Sequence, residues 1–149
     1  MMHPLKISIV QTDIAWENKQ ENLRMLREKL HALRGTTEIV VLPEMFSTGF
    51  TMKSRELAEP VSGITVRILK ELAADFQLAL CGSFICSERS NYYNRAFFIT
   101  PEGEEFYYDK RHLFRMGNEA EYFSAGNNKL IISYRGWNIC LLVCYDLRF

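Results

Sequence analysis

Apolar and polar positions alternate along Leu5-Lys6-Ile7-Ser8-Ile9-Val10-Gln11, which predicts a strand with one buried face. The period then lengthens. Within residues 17–34, Leu23, Leu26, Leu30 and Leu33 recur at helical spacing among charged residues, so an amphipathic helix is expected, stopped by Gly35. Ile39-Val40-Val41-Leu42 is a continuous apolar run suited to a strand covered on both faces, and Pro43 ends it. Strand, helix and strand joined by short connections imply parallel pairing with a right-handed crossover. A second helix is expected over residues 64–76, with Ile64, Ile68, Leu69, Leu72 and Phe76 on one face, leading into a strand over residues 78–85. After that the pattern turns to hairpins. Residues 92–100 and 105–110 flank Pro101-Glu102-Gly103-Glu104, and residues 129–134 and 137–144 flank Arg135-Gly136. The fold class is therefore α/β, with a mixed sheet and flanking helices. Two long loops remain, at 46–63 and 113–128, and long ordered loops are often functional.

Composition narrows the partners. A chain of 149 residues that is 48% hydrophobic fits one domain. Its 18 basic and 18 acidic side chains cancel, and no block of like charge offers a footprint for phosphates, so no nucleic-acid partner is expected. The first residues read as a strand and not as a signal peptide, and no apolar run approaches the ~20 residues that cross a bilayer. A soluble, cytoplasmic protein without a membrane partner is expected. Cys81, Cys86, Cys140 and Cys144 show no C-x-x-C spacing and should be free thiols. His3, His31 and His112 are scattered, so no metal site is expected.

Ligands of open α/β sheets bind beyond the carboxyl ends of the strands. Glu44 follows the run ending at Leu42, Lys110 closes the strand 105–110, and Cys144 closes the strand 137–143. Singly, each has a bland reading: a small buried hydrophobe for Cys144, solvated charges for Glu44 and Lys110. Together they are what amide hydrolysis by a thiol needs: a nucleophile, a base that takes its proton and returns it to the nitrogen, and a cation near the oxyanion. A free thiol is only slightly ionised at neutral pH, so it needs a carboxylate base or a positive field beside it.

The segments Leu42-Pro43-Glu44-Met45-Phe46, Tyr108-Asp109-Lys110-Arg111-His112-Leu113-Phe114 and Cys140-Leu141-Leu142-Val143-Cys144-Tyr145-Asp146-Leu147-Arg148-Phe149 resemble the three signature segments of the nitrilase superfamily of carbon-nitrogen hydrolases, in its chain order. The resemblance runs from Lys6 to Phe149. It implies a four-layer αββα sandwich, here its first part, and no metal or organic cofactor. It also implies that Cys144 is the nucleophile, Glu44 the general base and acid, Lys110 the oxyanion stabiliser, and that Tyr145 adds its backbone N–H to the oxyanion hole. A further glutamate of the family lies seven residues before the glycine of a turn; counting back from Gly126 selects Glu119 over Glu121, although Ala125 stands where a proline is usual. Cys81, Cys86 and Cys140 are expected to be packing residues, with Cys140 on the same strand face as Cys144, and His112 a structural neighbour of Lys110.

The segments Glu44-Met45-Phe46-Ser47-Thr48-Gly49-Phe50 and His112-Leu113-Phe114-Arg115-Met116 look most like the bacterial omega-amidase group, which acts on 2-oxoglutaramate and related 2-oxo acid amides. The expected partners are thus a small amide and water, with a homodimer in the complete protein. Arg115 stands where many relatives carry an aspartate; it suits an anionic substrate, and a structural ion pair is the alternative. Another activity of the superfamily (nitrilase, N-carbamoyl hydrolase, other aliphatic amidase) and a non-catalytic interaction module are the competing readings. The sequence stops five residues after Cys144, so a domain truncated after the nucleophile, inactive on its own, is expected.

Overall fold

A computed structural model describes residues 3–149. Its elements follow the order β1 (Ile7–Ile9), α1 (Lys19–Leu33), β2 (Ile39–Val41), α2 (Ser54–Leu57), α3 (Ile64–Phe76), β3 (Ala79–Glu88), β4 (Asn91–Ile99), β5 (Glu105–Asp109), α4 (Glu119–Tyr122), β6 (Ile131–Tyr134) and β7 (Trp137–Cys140). The first five strands form one sheet in sequence order, and β6 pairs with β7 in a separate ribbon. β1, β2 and β3 are parallel, while β3–β4 and β4–β5 are antiparallel, so the expected mixed sheet is present.

Strand parity decides which layer each residue joins. Val40, Leu80, Phe97 and Ile99 point to one face and pack against Leu23, Leu26 and Leu30 of α1 and Leu69 and Leu72 of α3. Their alternates Ile39, Ala79, Ala96, Phe98 and Tyr108 point the other way, against Ile132 and Tyr134 of β6 and against Leu141 and Val143. Helices, sheet and ribbon make three layers. Asn18 caps α1, its side chain accepting the Glu21 amide at 3.1 Å. Among the described residues no helix is long and apolar enough to cross a membrane.

Three expectations need correction. The alternation at β1 is real, but its apolar side is open: Ile7 and Ile9 pair with Ile39 and Val41 on the ribbon-facing side and are 55% and 82% exposed. The cluster under the β6–β7 ribbon takes in Ile39 of β2 and residues of β3 to β5, and the Ile7 and Ile9 side chains lie outside it. Ile64, at the first turn of α3, is also exposed, while Thr65 and Val66 are buried. Finally, the strand expected to run to Val143 ends at Cys140. Cys140 is exposed and shares no strand face with Cys144, which opens a 3-10 turn over Cys144–Arg148. Cys81 and Cys86 do pack inside, and burial pushes both thiols up to about 11.

Candidate active site

Glu44 follows β2 in a segment fastened to β3. The Leu42 amide donates to Cys81 O at 2.7 Å, the Met45 amide to Ser83 Oγ at 2.8 Å and the Phe46 amide to Ser83 O at 3.1 Å. Met45 takes φ +47°, in the left-handed region a side chain rarely adopts, and these bonds hold it there. Lys110 lies one residue past β5. Its amide donates to Asn94 O at 3.0 Å, which continues the β4–β5 pairing by one more residue.

The Lys110 side chain is fully buried and points at two carboxylates. Nζ donates to Glu44 Oε1 at 2.7 Å, to Glu119 Oε2 at 2.9 Å and to Glu119 Oε1 at 3.2 Å. Burial disfavours the ammonium, but the hydrogen bonds and charges of Glu44 and Glu119 outweigh it and raise the Lys110 pKa above its ordinary value. The Phe50 ring lies 5.5 Å from Nζ, closing another side. Glu119, at the start of α4, is itself fully buried and accepts the Phe114 amide at 2.6 Å; Glu121 is exposed. The loop that carries Glu119 returns through Gly126, whose amide donates to Lys110 O at 2.9 Å. A Cβ there would sit 2.2 Å from Asp109 O, so only glycine allows this return.

Cys144 is exposed, with φ +43°, at the first residue of its 3-10 turn. Partial burial pushes its thiol above the ordinary value, and the Glu44 carboxylate adds to this by charge and by hydrogen bonding. Lys110 pulls the other way without prevailing. The direction favours the thiol over the thiolate, and the Lys110 charge alone does not reverse it. Tyr145 lies in the first turn of the 3-10 segment, where backbone amides are not used by the helix itself.

Asp146 fixes that turn to the neighbouring loop. It accepts the Val143 amide at 3.0 Å, the His112 amide at 2.9 Å and the Tyr108 hydroxyl at 2.8 Å, and pairs with the His112 ring at 2.9 Å. Burial works against its charge, yet these bonds together hold its carboxyl below the usual range. His112 is therefore a neighbour of Lys110 in sequence and a structural partner of Asp146, with Phe149 stacked on its ring at 4.1 Å.

The structure brings Glu44, Lys110, Glu119 and Cys144 to one place. Arg115 is exposed in the 3-10 turn Arg115–Gly117 and makes no ion pair among the described residues. Two residues of the site were not singled out from sequence as parts of it. Asn94, buried in β4, donates from Nδ2 to Glu44 Oε1 at 2.8 Å and to Glu119 Oε1 at 3.1 Å. Parity was the available signal, since Asn94 lies two positions before Ala96 and Lys110 two positions after Tyr108, both on the ribbon-facing side. Asp146 left no such signal, because its donors come from loop geometry.

The family model described as carbon-nitrogen hydrolase matches residues 6–149. The chain belongs to the carbon-nitrogen hydrolase family. Within it, the chain is 37% identical to the omega-amidase YafV of Escherichia coli K12 over 99% of its own length and 57% of that protein's. It is 30% identical to the 2-oxoglutaramate amidase of Bacillus subtilis, over 96% of this chain and 56% of the relative. Among solved structures, XC1258 of Xanthomonas campestris, a CN-hydrolase superfamily protein, superposes with a TM-score of 0.96 at 40% identity, covering 99% of this chain and 56% of that one. Nit3 of Saccharomyces cerevisiae, a member of the nitrilase superfamily, gives 0.86 at 26% identity, over 97% of this chain and 57% of that one. The α/β fold and nitrilase-superfamily membership expected from the motifs are thus both found. The chain spans somewhat over half the length of the curated relatives it matches.

Proposed function

We propose that the protein carrying this sequence hydrolyses small linear amides through a thioester on Cys144, and that its substrates are 2-oxo acid amides such as 2-oxoglutaramate. One observation carries this reading: a buried ammonium, Lys110, is held between the carboxylates of Glu44 and Glu119, with the Cys144 thiol beside them. The arrangement has a use for every group. Glu44 accepts the thiol proton as Cys144 Sγ attacks the amide carbon, and the oxygen takes up negative charge facing Lys110 Nζ and the Tyr145 amide. Collapse breaks the C–N bond, with Glu44 returning the proton to the departing ammonia. Water, deprotonated by the same carboxylate, then cleaves the thioester and releases the acid and the free thiol. Glu119 keeps the lysine charged and aimed.

The substrate class rests on similarity to proteins named omega-amidase and 2-oxoglutaramate amidase, and on Arg115, an exposed cation without an ion-pair partner among the described residues. The proposed enzyme is cytoplasmic and homodimeric and draws its chemistry from side chains and water. A panel of amides, nitriles and N-carbamoyl amino acids, assayed for ammonia release, tests it. Turnover should be greatest with 2-oxoglutaramate and vanish in Cys144→Ala. Preference for a nitrile or carbamoyl compound would move the activity elsewhere in the superfamily, and full turnover by Cys144→Ala would remove the thioester.

A further inference from the structure

The two carboxylates of the site are bridged twice. Lys110 Nζ contacts Glu44 Oε1 at 2.7 Å and Glu119 Oε1 at 3.2 Å, and Asn94 Nδ2 contacts the same two oxygens at 2.8 and 3.1 Å. Both donors therefore converge on one oxygen of Glu44. Asn94 is wholly buried, and its Oδ1 has no hydrogen-bond partner. Leaving a buried amide oxygen unsatisfied is unfavourable, so the bonds made by Nδ2 must compensate. The reversed amide would aim Oδ1 at two carboxylate oxygens and be repelled; the carboxylates fix its orientation.

We propose that Asn94 is a positioning residue that, with Lys110, occupies Oε1 of Glu44 and so leaves Oε2 as the oxygen that takes and returns the Cys144 proton. The inference rests on the reading of Glu44 as base, and it specifies which atom acts. An oxygen that already accepts from an ammonium and an amide is a poor proton acceptor, whereas its geminal partner is engaged by neither. The same clamp keeps two carboxylates close together beside a single lysine. Facing Glu44 are Lys110 after β5, Glu119 on α4, Asn94 on β4 and Cys144 in the 3-10 turn. Only the first is cationic, so the charged groups sum to one excess negative charge when both carboxylates are ionised. The neutral donor of Asn94 favours that ionised state without cancelling it.

The test reads the base directly. Cys144 is alkylated with iodoacetamide across the acid range in the unaltered protein and in Asn94→Leu and Asn94→Ala, with thermal unfolding followed alongside. One hydrogen bond to a charged group corresponds to roughly one to two powers of ten, so both variants should move the acid limb of alkylation upward by about one pH unit or more. With the best amide substrate, kcat should fall about 10- to 100-fold with KM little changed. In unaltered, isotope-labelled protein, the Asn94 side-chain amide resonance should titrate with the midpoint of that limb, a readout that survives if the variants do not fold. An unmoved acid limb in a folded variant, or an Asn94 resonance that does not titrate with it, overturns the assignment. Because alkylation needs no substrate, these results separate from failure of the amidase reading, which would show as turnover in Cys144→Ala.

Discussion

Glu119 and Asp146 are both buried carboxylates flanking the segment after Lys110, and they are satisfied in opposite ways. Glu119 faces an ammonium, an amide side chain and one backbone N–H, inside a cluster that also holds Glu44. Asp146 faces two backbone amides, a hydroxyl and the His112 ring, and among the described residues it pairs with no Lys or Arg. On the proposed mechanism the first arrangement surrounds a proton that has to move; the second fixes a stretch of backbone. Equal burial thus goes with a charged cluster in one place and a backbone clasp in the other, and the identity of the donors tells them apart.

The difference is open to direct attack. Lys110→Ala should have the largest effect. Removing one oxyanion donor lowers kcat by about 100- to 1,000-fold, and two carboxylates left facing each other in a buried site should cost about 3–5 kcal/mol of stability. Steady-state kinetics and denaturant unfolding of the same preparation check both. Asp146→Asn should cost less, on the order of 1–3 kcal/mol, by setting an NH2 group against donors that need an acceptor. Its kcat should fall because the turn holding Cys144 loosens.

The pH dependence sharpens the contrast further. Asp146 has a depressed pKa when folded, so its contribution to stability is complete above about 3.9, the unfolded value, and is lost as pH falls through the folded value. Lys110 is raised, so its contribution is complete below about 10.4 and is lost as pH rises through the folded value. Unfolding free energies measured against pH should therefore lose their acid slope in Asp146→Asn and their alkaline slope in Lys110→Met. The smallest effect belongs to the exposed Arg115. Arg115→Ala should raise KM for 2-oxo acid amides more than for uncharged amides, with kcat unchanged, and equal changes in both KM values would place Arg115 outside substrate recognition.

The same contrast explains what the sequence could show. Glu44, Lys110 and Cys144 stand next to strands whose apolar runs are readable, whereas Glu119 is legible only through the family resemblance, whose spacing is counted back from Gly126, a residue that a close backbone approach requires. Asn94 was hidden because a single polar residue in an apolar strand looks like an edge or exposed position until parity is carried across β4 and β5. The β3–β4 hairpin turns at Arg89-Ser90, with φ of +47° and +67°, a left-handed pair usually supplied by asparagine and glycine. With neither residue there, the strands were expected to stop short on both sides. Ile7 and Ile9 show a further limit: alternation reveals which residues share a face, and only packing reveals whether that face is covered.

The central claim is that Cys144 carries the acyl group. Rapid acid quenching during turnover of 2-oxoglutaramate by the protein carrying this sequence, followed by peptide mass spectrometry, tests it most directly. The account predicts a transient adduct on the Cys144 peptide equal to the substrate less ammonia, absent from Cys81, Cys86 and Cys140 and far slower to form when Glu44 is replaced by Gln. Sustained ammonia release with Cys144 unmodified at every time, or an adduct on another cysteine, would contradict it.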